Sequence, residues 1–392
     1  MGMGTTLVVN PGSSSKKYAL YDNGQLVLDF RFERTNDGFE VCSRSIGSQQ
    51  ICKSVDSESF DNALKIMALE VQGYLLNEKH NRNLDNVVIR VVSPGSFFQK
   101  HRIIDDVYLD KLRQQQSFAP LHIPVILSEI EKIKKYYKDS RIIAASDSVF
   151  HNALPDITKR YSISVTDADK YDIYRFGYHG LSVSSVVDKI HPLIGVYPRK
   201  LIVCHIGSGV SITAVKDGRS VENTMGFSPT SGLLMGSRGG DVDSSALLQL
   251  MRVKNFSPDD AELYLNTKAG LMGLAGEADI RKLLNRYAAG DGEAIDALKA
   301  FSFHIQKAIV AQTVILKGLD VLALTATAAV RSSELRYLIL KDLEYMGIKI
   351  SPDRNNLMSG RNGVISFRNS QIKVVVIKTD EMKEMMRVAE NI

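Results

Sequence analysis

The chain has 392 residues, 44% of them apolar and 24% charged, which is length enough for two hydrophobic cores and too apolar for a disordered chain. No apolar run approaches the roughly 18 residues of a membrane-spanning helix, so no membrane partner is expected. Forty-nine Lys and Arg against 44 Asp and Glu leave a net charge of +5. It is spread without any basic tract, so no nucleic-acid partner is expected either.

The first residues, MGMGTTLVVN, lack the basic segment and apolar run of a signal peptide. Residues 7–24, LVVNPGSSSKKYALYDNG, read as strand, tight Gly/Ser loop, strand and Asn-Gly hairpin turn. Cys42, Cys52 and Cys204 are sparse and odd in number. They predict no disulfide framework and no zinc site, and point to a reduced, cytoplasmic setting. Apolar residues at helical spacing predict a helix over 60–76, and VVIRVV (87–92) a buried strand. A helix over 127–137 and a strand over 141–146 follow. Residues 201–218, LIVCHIGSGVSITAVKDG, echo the first hairpin without a gap at an offset of 194. The echo predicts a duplicated domain, with two loops facing each other across a cleft. Residues 219–245 are rich in Gly, Ser and Met and predict a long functional loop. A helix over 293–317 and a strand over 320–326 close an α/β pattern.

The loop from Asn10 to Lys17 has the composition of a phosphate cradle: Gly12 for close backbone approach, Ser13 and Ser15 as hydroxyl donors, and Lys17 as a charge. It is not a P-loop, and a polar turn would look similar. Gly207-Ser208-Gly209 in the second hairpin favours the phosphate reading. Arg90 lies mid-strand, where a guanidinium needs an anionic partner, either a ligand or a structural carboxylate. Arg238 stands among glycines in MGSRGGD, and two such arginines could clamp a carboxylate and a phosphoryl group. Asp147 ends its strand, where ligand crevices of α/β folds form. Among the histidines, His122, His151, His179 and His205 are candidates for a site, and none has zinc spacing.

These residues resemble the acetate kinase (acetokinase) family of the sugar kinase/Hsp70/actin superfamily. The resemblance is carried by LVVNPGSSSKKYALYD and by LIVCHIGSGVSITAVKDGRSVENTMGFSPTSGLLMGSRGGDVD, with APLHIP, SDSVFHNALP, RFGYHG, ADIR and KTDE in family order. It implies two duplicated ribonuclease-H-like (actin-like ATPase) domains. The first is residues 1–150 plus 379–392, and the second, 151–378, carries the phosphate-donor site. Carried over by position, Arg90 and Arg238 hold the carboxylate and the transferring phosphoryl, Asp147 is the catalytic aspartate, and His179 stabilises the transition state. Asn10 and Glu381 are the positions associated with Mg²⁺ (or Mn²⁺). Lys17 and His205, Ile206, Gly207, Ser208 and Gly209 match donor-phosphate positions, and Asp279, Ile280 and Arg281 the nucleotide segment. Val92, Leu121, Tyr178 and Pro229 match the acetate-methyl pocket. A homodimer through the second domain is also implied.

Three departures stand out. Gly207-Ser208-Gly209 replaces the family's Gly-Asn-Gly, and Tyr178 replaces a Phe. The family's adenosine loop, Phe-Thr-Ala-Gly-Ile-Gly-Glu-Asn, is here Leu324-Thr325-Ala326-Thr327-Ala328-Ala329-Val330-Arg331. Losing both glycines disfavours positive φ, so the adenosine end of the cleft, residues 324–331, is expected to be remodelled while the phosphate end stays intact. ATP is the donor that the resemblance implies, and pyrophosphate the alternative that the altered loop raises. A propionate or butyrate kinase and a non-catalytic paralogue are the further readings.

Overall fold

A computed structural model describes residues 4–12, 15–35, 38–76, 83–120 and 122–392. Contacts divide the chain into two compact units. The first comprises Met1–Ser93, Lys100–Asp147 and Glu381–Ile392, the second Pro94–Gln99 and Ser148–Asp380.

The sheet of the first unit contains β1 (Thr5–Pro11), β2 (Ser15–Asp22), β3 (Gln25–Thr35), β4 (Gly38–Ser45), β5 (Ile51–Val55), β6 (Asn86–Val91), β7 (Arg102–Ile103) and β8 (Arg141–Ser146), in the order β5-β4-β3-β2-β1-β6-β8-β7. That of the second contains β9 (Lys200–Ile206), β10 (Val210–Lys216), β11 (Arg219–Asn223), β12 (Val321–Thr325), β13 (Gly363–Val364) and β14 (Lys373–Val376), in the order β11-β10-β9-β12-β14-β13. Each sheet therefore holds three consecutive antiparallel strands, the first of which pairs in parallel with a later strand and that with another. The shared order bears out the duplicated α/β fold. Both expected hairpin turns form, with positive φ at Asn23 (48°), Gly24 (76°), Asp217 (48°) and Gly218 (79°). This sign at both positions gives the twist of a two-residue hairpin.

The parallel strands are mostly apolar and buried, β12 along its whole length and β6 except at Asn86 and Arg90, as helices on both faces require. In the second unit Val183, Val186 and Ile190, at helical spacing on Gly180–Ile194, pack on Leu201, Val203, Val321 and Ala323. The helices and strands expected at 60–76, 87–92, 127–137, 141–146, 293–317 and 320–326 are present within a few residues. The long loop is shorter than expected, since β11 occupies 219–223 and a helix starts at Ser244.

The cysteine expectation needs correction. Cys42 on β4 stands opposite Cys52 on β5, and the two are joined by a disulfide. A search for a multi-bridge framework overlooks one bridge across a ribbon, because cross-strand register brings the sulfurs together. Cys204 is buried and free. Among the described residues, no helix is long and apolar enough to cross a membrane.

Candidate active site

In the first unit, strand alternation sorts the two adjacent lysines of β2. Lys16 points into the core, where Glu129 lies 3.3 Å away and is only 2% exposed. Lys17 lies opposite Asn10 of β1, on the other face. On that face Glu381 Oε2 accepts hydrogen bonds from Asn10 Nδ2 and from Arg90 NH1, each at 3.3 Å. The second Arg90 nitrogen donates to Asp147 Oδ2 at 3.0 Å, and Asp147 is 1% exposed. Burial opposes the Arg90 charge, but Asp147 and then Glu381 outweigh it and raise its pKa. Burial lowers the pKa of the Lys17 ammonium, with Glu381 pulling the other way. Thus Asn10, Lys17, Arg90, Asp147 and Glu381 come together, from three strand positions, the residue that follows β8 and the start of the helix Glu381–Asn391. The oxygen donors of Asn10, Asp147 and Glu381 suit a hard divalent cation that draws its other ligands from phosphate and water. Val92, 7% exposed, follows Arg90 by two residues. Ser13 and Leu121 lie outside the described residues, and Ser15 begins β2.

The end of β8 is held by His101, whose Nδ1 accepts from the Ser146 amide at 3.1 Å. Burial pulls its pKa from 6.5 down to about 4. The unfolded chain therefore binds more protons between these values, and stability falls as pH drops from about 6.5 towards about 4. Thermal melts at pH 7 and pH 4.5 should show a larger loss for the parent than for His101→Asn, whose amide oxygen can replace Nδ1 as acceptor. Equal losses would contradict this assignment.

In the second unit, His179 caps the helix Gly180–Ile194 with a left-handed backbone, φ 60°. Its ring stacks on His205, with centroids 3.8 Å apart and planes 15° from parallel. Ser211 Oγ lies 2.9 Å from His179 Nδ1 and Ser182 Oγ 2.7 Å from His205 Nδ1, so each ring is fixed at one nitrogen. A Cβ on Gly209 would stand 2.5 Å from Arg238 NH2 and 3.1 Å from His179 Nε2, which puts both side chains against the β9–β10 turn. Arg238 donates from NH1 to the Pro229 carbonyl at 2.8 Å. No carboxylate among the described residues pairs with it, and burial pulls its pKa down to about 10. Such a guanidinium favours an anion as partner. Tyr178 is fully buried, and its hydroxyl donates to the Phe227 carbonyl at 2.6 Å. His151 is structural, lying between Ser220 Oγ and the Tyr178 carbonyl.

The adenosine-loop expectation changes in its physical basis. Residues Ala326–Arg331 form a helix, and positive φ falls on Ala326 (67°) rather than on 327 or 329. Losing the two glycines therefore costs no backbone conformation at those positions. Gly207 lies beside this helix, since its Cβ would stand 3.6 Å from that of Ala326. Ala329 and Val330 are buried, as are Ile206 and Ile280, so their side chains belong to the core. Thr327, Ala328 and Arg331 remain at the surface. Arg281 folds back on Asp279 at 2.7 Å and, by that hydrogen bond above all, lowers the Asp279 pKa.

Sequence reasoning missed Arg336. It is fully buried and donates from NH1 to the carbonyls of Ala329 and Val330, at 2.6 and 3.1 Å, and from Nε to Asn355 Oδ1 at 2.7 Å. It thereby satisfies the open C-terminal carbonyls of the 326–331 helix. Its position in SSELRYL resembles any amphipathic helix, and only the three-dimensional contact reveals its task.

The sequence profile of the Acetokinase family matches residues 5–387. The chain belongs to the acetokinase family. The acetate kinase of Thermoanaerobacter pseudethanolicus is 34% identical over 384 residues, covering 96% of this chain and 95% of that one. The acetate kinase of Streptomyces avermitilis is 33% identical, covering 97% and 95%. The solved Porphyromonas gingivalis acetate kinase superposes with a TM-score of 0.82 at 27% identity, covering 99% of both chains. A propionate kinase from Francisella tularensis subsp. tularensis gives 0.87 at 28% identity, covering 100% of both. This acetokinase shares the two-domain fold of those relatives.

Proposed function

We propose that this acetokinase catalyses reversible phosphoryl transfer between ATP and acetate, giving acetyl phosphate and ADP by direct in-line displacement. The observation that carries the reading is Arg238. Its guanidinium lacks a carboxylate partner among the described residues and shares the Gly209 turn with His179, so the second unit presents two donors to negative charge. Acetate is already an anion at neutral pH, and its oxygen needs no general base to attack phosphorus. Arg90 would orient the acetate, while Asp147 holds Arg90 rather than accepting a proton. Arg238 and His179 would stabilise charge on the phosphoryl oxygens as the bond to the leaving group lengthens. Lys17 and the His205–Gly209 turn would hold the donor phosphates, and Asp279 to Arg281 with the surface of 327–331 the nucleoside. Val92, Leu121, Tyr178 and Pro229 would surround the acetate methyl. Asn10 and Glu381 would hold Mg²⁺ (or Mn²⁺), which when bound neutralises phosphate charge.

Residues 1–150 with 379–392, and 151–378, would serve as the two acetokinase domains. A homodimer through the second is supported by the helix Ser244–Lys254. It carries Leu247, Leu248, Leu250, Met251 and Val253, yet none of its residues is buried. Light scattering at micromolar concentration checks this. Use of ATP places the enzyme in the cytoplasm, where reductants would reach the exposed Cys52; fractionation of the source cells tests that placement.

A second reading, pyrophosphate as donor, is favoured by one observation: Val330, which stands where the family has the Glu of its Glu–Asn pair, is buried and has no polar side-chain atom. With fewer nucleoside contacts, ATP and GTP should differ by less than about tenfold in kcat/KM, roughly 1.4 kcal/mol. Acetyl phosphate formation with ATP, GTP and pyrophosphate side by side tests both readings. Strong rejection of GTP, with a micromolar KM for ATP and no turnover of pyrophosphate, would sink the second.

A further inference from the structure

The polar face of the first sheet carries one more cation than the proposed reaction uses. Asn10 stands opposite Lys17, and Lys17 opposite Arg31 on β3. Directly opposed residues of antiparallel strands point to the same face, with Cβ atoms about 4.5–5.5 Å apart. Two cations in this arrangement destabilise the ladder unless an anion joins them. Lys16 supplies the contrast: on the opposite face it has Glu129 at 3.3 Å. Among the described residues, none offers Lys17 Nζ an acceptor at hydrogen-bond distance. Arg31 Nε is buried without a hydrogen bond, and Glu33, 3.7 Å away on the same strand, is itself 45% exposed. The pair thus presents an ammonium and a guanidinium to one volume, beside Asn10. A guanidinium fork matches phosphate oxygens, whereas a carboxylate such as acetate already has Arg90.

We propose that Arg31 is a second cationic arm of the phosphoryl-donor site, gripping the donor's polyphosphate tail alongside Lys17. The ligand chemistry is a chain of two or three phosphates, from a nucleoside triphosphate or from pyrophosphate. The inference rests on the reading of Lys17 as a donor-phosphate residue.

Initial rates of Arg31→Ala, Arg31→Lys and Lys17→Ala test it, with ATP and pyrophosphate each varied at saturating acetate and acetate varied at saturating donor. Arg31→Ala should raise the KM of the donor that is turned over about tenfold and leave the acetate KM within twofold. Arg31→Lys should recover the parent value to within about threefold. The Arg31 side chain is 43% exposed, so both variants should melt with the parent. Should Arg31→Ala melt early, calorimetric titration of the Arg31→Lys and Arg31→Gln variants with ATP and with pyrophosphate reads the same loss as affinity, larger for Gln. An unchanged donor KM in Arg31→Ala beside a raised one in Lys17→Ala would overturn the inference and keep the reading of Lys17. Unchanged donor KM in both would overturn that reading as well.

Discussion

Arg90→Ala is expected to lower kcat/KM for acetate by roughly 10²–10³, the scale for losing one preorganised donor that positions a reacting group. The structure adds a second consequence. Arg90 is the cation shared by Asp147 and Glu381, and Asp147 is 1% exposed. Breaking a buried pair from one side costs about 3–5 kcal/mol when the partner charge is left behind, and the 19% exposure of Arg90 moderates this. Arg90→Ala should therefore melt several degrees lower than the parent, and its kinetics belong well below that melt. Arg90→Lys keeps a charge near both carboxylates but loses the fork, so its melt should recover more than its activity. Parent-like activity in Arg90→Ala, within about threefold, would remove Arg90 from the site.

Gly209→Ala isolates the other half of the chemistry. The backbone at Gly209 does not have positive φ, so alanine is tolerated in conformation. Its Cβ would nonetheless stand 2.5 Å from Arg238 NH2, which must move away by the better part of an ångström. Misplacing a group by about 1 Å can cost a factor near 10². We expect kcat to fall about that much with the melting temperature within a degree or two of the parent. An active Gly209→Ala would mean that Arg238 and His179 do not act at this turn.

Much of this molecule is readable from local chemistry. The two hairpins announce themselves through Asn23-Gly24 and Asp217-Gly218, because a two-residue turn needs residues that accept positive φ. The apolar run around Arg90 predicts its buried strand, and the strand end predicts the place of Asp147. Register is where the reading stops. The pairing of Cys42 with Cys52 and the row Asn10–Lys17–Arg31 follow from which strands lie side by side, and residue types alone do not give that. The 326–331 segment shows a second limit. A missing glycine is informative only where the backbone needs positive φ, and that requirement falls on Ala326. Arg336 shows a third, since its role depends on carbonyls six and seven residues earlier in the chain, exposed by the end of a short helix.

The most direct measurement of the central claim is trapping of the acyl product. With acetate, Mg²⁺, hydroxylamine and a donor, the protein should form one acetyl hydroxamate per ADP released from ATP, or one per two orthophosphates when pyrophosphate is the donor, at a rate that saturates in acetate. Release of ADP or orthophosphate without acetyl hydroxamate, or no acetate-dependent product with either donor, would contradict the account.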